Sequence, residues 1–157
     1  MSADEGHRIR DVVVDGASVG ERGSHIFSDI RSDHAISAEF TATHRVTFRD
    51  RGAVLSEQAV DDGAAAKAPD APNRKGYTFT GWDAGFSNVK SDIEVNAVWR
   101  ANSYRVRFDA DGGTGEMANQ AMTYDEPEGL DSCTFSRPGH QFRGWALEPS
   151  GAMAWRS

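Results

Sequence analysis

The sequence predicts a mainly β protein, a small α+β chain of tandem units, and three observations carry that expectation. Phrases return at nearly one period: FSDIRSDHAISAEF at 27–40 as FSNVKSDIEVNAVW at 86–99, HRVTF at 44–48 as YRVRF at 104–108, and GYTFTGW at 76–82 as GHQFRGW at 139–145. The shifts of 59, 60 and 63 positions exceed those of helical and leucine-rich solenoids, so they point to small domains in series. Each phrase alternates apolar and polar residues with the two-residue period of a half-buried strand, and glycine, proline and short acidic residues punctuate the intervals.

The first unit, 1–43, is an incomplete β unit. It keeps the fourteen-residue phrase but has no FxGW and no opening VxF upstream. In that phrase Ser32-Asp33 suits a turn, and Ile36, Ala38 and Phe40 alternate with Ser37 and Glu39, which puts the closing aromatic on the inner face.

The second unit, 44–103, reads as complete. Its first strand is 44–49, with His44, Val46 and Phe48 inward and Arg45, Thr47 and Arg49 outward; a second covers 54–60, before the Asp61-Asp62-Gly63 turn. Ala64 to Ala68 are expected to make one helical turn, which Pro69 and Pro72 stop. Strands at 77–82 and 93–99 finish the unit, and Gly81 lets the backbone bend so that Trp82 folds over the core.

The third unit, 104–157, opens with Tyr104, Val106 and Phe108 inward and Arg105 and Arg107 outward. A glycine-rich loop at 111–115, a strand at 117–124, a connector at 130–135 and a strand at 140–145 follow. After Trp145 no counterpart of the closing strand is legible, so this unit is expected to be truncated, with a frayed edge prone to edge-strand self-association.

Composition narrows the chemistry. The chain has 157 residues, 38% of them hydrophobic, with four Trp and eight Phe, enough for several small cores. Net charge is −7, split as −4, 0 and −3 over the three units, so no segment has the basic excess that nucleic acid or an anionic membrane surface demands. No apolar run is long enough to insert in a membrane, and the polar start has no signal-peptide pattern. Cys133 stands alone, which excludes an intrachain disulfide and a cysteine-based zinc site.

No catalytic or cofactor site is expected. The five histidines, His7, His25, His34, His44 and His140, never fall at HxH or HExxH spacing, and no GxSxG elbow occurs. DADGGTGE at 109–116 invites a calcium reading at Asp109 and Asp111, but Gly113 and the early Glu116 break the EF-hand spacing, and a glycine-rich turn accounts for it better. The FxGW tryptophans, Trp82 and Trp145, are read as core, while Trp155 lies outside the matched phrases and is the candidate exposed aromatic. Aromatic platforms also stack on sugars, so a carbohydrate-binding module is the competing reading.

HRVTF, the Gly63 turn, PDAPNRKGYTFTGW and SDIEVNAVW resemble the Listeria/Bacteroides repeat, the B-repeat module of internalin-type bacterial surface proteins. YRVRFDADGGTGEMANQAMTY and SCTFSRPGHQFRGW are similar to its longer form, so the resemblance covers 44 to about 155. Residues 9–41 look like the tail of a further surface-protein repeat, and a fragment of a longer protein is expected. The resemblance implies β-grasp-like units, each a curved sheet on a short helix or loop, in a cell-surface or secreted protein. It implies adhesion, spacing or protein recognition without catalysis, with a protein or host-surface ligand as partner. The outward residues Arg45, Thr47, Arg49, Arg105 and Arg107 are the candidate contact face.

Overall fold

In a computed structural model, residues 3–147 are described, together with the backbone of 155–156. Among the described residues every regular element is a strand: β1 His7–Val14, β2 Ala17–Ser18, β3 Ile36–Asp50, β4 Ala53–Asp61, β5 Tyr77–Trp82, β6 Ile93–Ala101, β7 Ser103–Val106, β8 Gln120–Thr123, β9 Gln141–Phe142 and β10 Trp155–Arg156. They form one mixed sheet of six strands and two antiparallel pairs, β7 with β8 and β9 with β10. The chain divides into two compact units, Met1–Asn73 with Phe79–Trp99, and Arg74–Thr78 with Arg100–Ser157.

The 15-residue β3 organises the first unit. Its first half pairs antiparallel with β1, from His7↔Ala42 to Val14↔Ile36, and its second half pairs antiparallel with β4. Val46 to Arg49 of β3 also run parallel to Ile93 to Asn96 of β6, which in turn neighbours β5. Over residues 44–101 the strand order is therefore β4-β3-β6-β5, with parallel strands at its centre.

Alternation along β3 and β6 sends Val46, Phe48 and Val95 to one face, all with no measurable exposure. Val60, Ala66 and Val89 complete the buried cluster, with Trp82, Ala84, Phe86 and Ile93 packed on its flank. The expected helical turn at 64–68 is absent. Its backbone pairs instead with the loop before β6: Ala66 N–H donates to Phe86 O at 2.8 Å and Val89 N–H to Ala64 O at 2.9 Å. These bonds, with the burial of Ala66, override the helix preference of an alanine run.

The aromatic packing repeats between the units. Trp82 meets Phe48 and Phe79 at ring centroid distances of 5.0 and 5.3 Å. At the equivalent positions Trp145 meets Phe108 and Phe142 at 4.6 and 4.9 Å, with Phe135 added at 6.2 Å. Both FxGW glycines occupy the left-handed side of backbone space, Gly81 at φ 139° and Gly144 at φ 153°. A side chain there is strained even where space is open, and the expected bend at Gly81 is seen.

Several expectations are corrected. Ile36 and Phe40 are 41% and 46% exposed instead of inward, because no described strand covers their face. Tyr104 is also exposed, while Phe108, beyond the end of β7, is buried. The strand expected at 117–124 is only Gln120–Thr123. Where no closing strand was legible, Trp155–Arg156 pairs with Gln141–Phe142. The side chain of Trp155, the candidate exposed aromatic, lies outside the described residues.

Candidate functional site

The outward face of β3 carries three of the candidate contact residues. Arg45, Thr47 and Arg49 line an open depression of about 340 Å³ together with Glu57 of β4, Asp92, and Ile93 and Glu94 of β6. Alternation dictates the grouping: with Val46 and Phe48 committed to the core, their odd-numbered neighbours must face the other way.

Thr47 sits at the crossing point. Glu57 is its antiparallel neighbour and Glu94 its parallel neighbour, with Arg45 and Arg49 two residues away along its own strand. Four long charged side chains surround one short one, so Thr47 is buried at 5% exposure and is not an available contact. This corrects its placement on the accessible face. Its hydroxyl lies 3.5 Å from Glu57 Oε2.

The arginines are partly engaged. Arg45 N–H donates to Asp92 Oδ1 at 2.7 Å, which fixes the turn before β6. Arg49 donates to Glu94 Oε1 at 2.9 Å and to Gly52 O at 3.1 Å, while its Nε is covered and has no hydrogen-bond acceptor. The depression thus presents both signs of charge. Arg105 and Arg107, both exposed, belong to the other unit.

The acidic turn after β4 does structural work that periodicity does not show. Asp61 takes two bonds from Arg8, at 2.5 and 2.6 Å, and Arg8 also pairs with Glu21. Asp62 accepts from Lys90 Nζ at 2.8 Å and bonds His44 Nε2 at 2.9 Å. The Arg8 guanidinium holds the Asp61 carboxyl below the usual carboxylate range, and Lys90, then His44, do the same for Asp62. Asp83 is likewise lowered, by the Asn96 backbone N–H and then by its side-chain amide.

Other candidates resolve into structure. His34 bonds Asp15, and His140 faces the carbonyl of Pro138 in its own turn. Asp109 accepts the Asp111 N–H at 2.9 Å, so the acidic loop folds on itself. No group of three or more potential metal ligands occurs among the described residues. Trp99 Nε1 donates to Asp50, and Trp145 Nε1 to Asp131 O. With Trp82 half-buried against the core, the described indoles make packing contacts or internal bonds.

Two residues escaped attention in the sequence. Gln58 donates to Lys67 O at 2.8 Å and accepts from Lys67 N–H at 2.9 Å. Gln120 donates to Gly129 O at 2.8 Å and accepts from Asp131 N–H at 2.9 Å. The signal was the short QA-V/M phrase, Gln58-Ala59-Val60 against Gln120-Ala121-Met122.

Comparison with known proteins gives a family and distant relatives. The Listeria-Bacteroides repeat domain matches residues 44–97 and 104–157. Internalin H of Listeria monocytogenes is 34% identical over 104 residues, 57% of this chain and 18% of the relative. Two Evansella cellulosilytica proteins bearing membrane-protein names, one of them called Gly-rich, are 29% and 27% identical over 126 residues, 71% of this chain. The chain spans less than a fifth of the length of each of these relatives, at 18%, 18% and 14%. No solved structure matches it.

Proposed function

Because the chain belongs to the Listeria-Bacteroides repeat family, whose domain it carries twice, we propose that it is a non-enzymatic stalk and protein-recognition module of a bacterial surface or secreted protein. Internalin H and the two membrane-named relatives favour a cell-surface setting. The repeats act as β-grasp-like beads. The order β4-β3-β6-β5 with central parallel strands supports this, an extended connector standing where a helix would otherwise pack.

The observation that carries the recognition half is the depression over Thr47. It offers Arg45, Arg49, Glu57, Asp92 and Glu94 to a ligand with side chains of both signs. A polypeptide segment satisfies that description, and a sheet face flanked by charges discriminates by complementarity more than by buried area.

Display of the full chain on a non-adherent bacterium, probed against immobilised host-surface proteins, tests the reading. Adhesion that Arg45→Glu with Arg49→Glu removes, while the melting temperature is kept, supports it. Absence of protein binding, or binding indifferent to both substitutions, defeats the recognition role.

A further inference from the structure

The two copies of the fourteen-residue phrase allow burial to be compared position by position. Val89 and Val95 of the second copy are 2% and 0% exposed; Ile30 and Ile36, their counterparts, are 65% and 41% exposed. Phe86 packs on the core, whereas Phe27 lies between the rings of His25 and His34 at 4.7 and 4.9 Å. The residues that close an interior in one copy lie open in the other.

The cause is a missing neighbour. In the second copy Val46 and Phe48 run parallel beside Ile93 to Asn96 and cover Val95. In the first copy β1 occupies one edge of Ile36–Phe40: Asp15 N–H donates to Ala35 O, and Ala35 N–H returns a bond to the Asp15 carboxylate. Successive residues of a strand direct their backbone groups to opposite edges. The N–H and C=O of Ile36, Ala38 and Phe40 therefore face the other edge, where no described strand pairs.

We propose that Ile36–Phe40 is an acceptor edge for a parallel strand of V-x-F pattern supplied by another repeat of this kind. The register follows from the second copy: valine of the donor lies opposite His34 and phenylalanine opposite Ile36, where it covers Ile30 and Ile36 as Phe48 covers Val89 and Val95. Charge is complementary, since residues 1–43 carry −4 while HRVTFR and YRVR are basic. A second copy of this chain is not the donor. Its Val46 and Phe48 are already fully buried between β4 and β6, and its Phe108 is buried against Trp145.

The test is a labelled peptide of residues 42–50, ATHRVTFRD, titrated into the full chain by fluorescence anisotropy, with amide exchange followed by NMR. Saturable binding with protection of the Ile36 and Ala38 amides is expected. Ile36→Lys should weaken it about tenfold or more, as should Val46→Ser with Phe48→Ser in the peptide, while Tyr104→Lys in the other unit leaves it intact. Ile36 is exposed, so the lysine is compatible with folding; Ile30→Lys, at the other exposed position that the donor phenylalanine covers, is the second variant should Ile36→Lys melt early. No saturable binding, binding unchanged in both lysine variants, or protection at other amides overturns the proposal. So does a concentration-dependent dimer of the free chain that protects these same amides, which would make a second copy the occupant.

Discussion

Gln58 and Gln120, in equivalent strands of the two repeats, each clamp the connector that follows with a paired amide: one bond given to a carbonyl, one received from a backbone N–H. The side chain acts as one rung of a β ladder for a segment too irregular to form a strand. It satisfies backbone groups that have no other partner there.

Gln58→Leu and Gln120→Leu should each destabilise their repeat, by about 1 kcal/mol for the more exposed Gln58 and about 1 to 3 kcal/mol for the buried Gln120. Gln58→Glu keeps the acceptor but sets a carboxylate oxygen against Lys67 O, so it should recover little. Urea denaturation followed by tryptophan fluorescence measures both, and equal stability of all variants would show the clamps to be incidental.

Gly81 and Gly144 test the FxGW bend. Alanine at either site forces a side chain into left-handed backbone space, φ 139° or 153°, at a cost on the order of 1 to 3 kcal/mol. No neighbour lies within 4 Å of the added methyl, so the loss is conformational and not steric. Thermal melts of the two variants should fall together, and an unchanged melt at Gly144 would separate the repeats.

Phe48→Ala removes the largest fully buried side chain among the described residues and should cost about 3 to 5 kcal/mol, enough to unfold the repeat at 44–97. Trp82, in edge contact with Phe48, supplies the readout through a red-shifted emission. Retention of the native emission spectrum would contradict the assigned core.

Acid should weaken the first unit. Asp61 and Asp62 are held below the ordinary carboxylate value by Arg8 and by Lys90 with His44. Their contribution is complete above the unfolded value, near pH 4, and is lost as pH falls through the lower folded values. The melting temperature should stay level from neutral pH down to about pH 5 and then drop, with a shallower acid limb in Asp62→Asn. The same acid slope in that variant would remove Asp62 from the account.

The repeated phrases disclosed the strands, the FxGW core and the outward set on β3, because a two-residue period encodes which face a side chain takes. Periodicity does not say whether anything covers that face. Phe40 and Ile36 alternate as well as Trp99 and Val95, yet it is Val95 that gains a parallel neighbour and Trp99 that gains a bond to Asp50 and a ring contact with Phe79. Thr47 failed in the opposite sense, since its burial depends on four long side chains from three segments and not on its own type. The connector at 64–68 misled because backbone bonds to 86–89 are long-range, and local alanine content cannot report them. Arg8 with Asp61 is of the same kind, 53 positions apart.

For the stalk role proposed above, the parallel registry of β3 and β6 has a mechanical meaning. Tension entering at the start of β3 and leaving at the end of β6 would drag two neighbouring strands in opposite directions along their length. The bonds between them are then loaded simultaneously in shear instead of being unzipped one by one. A repeat with this pairing should resist a pull along that axis better than its modest interior alone would allow, which suits the stalk role proposed above.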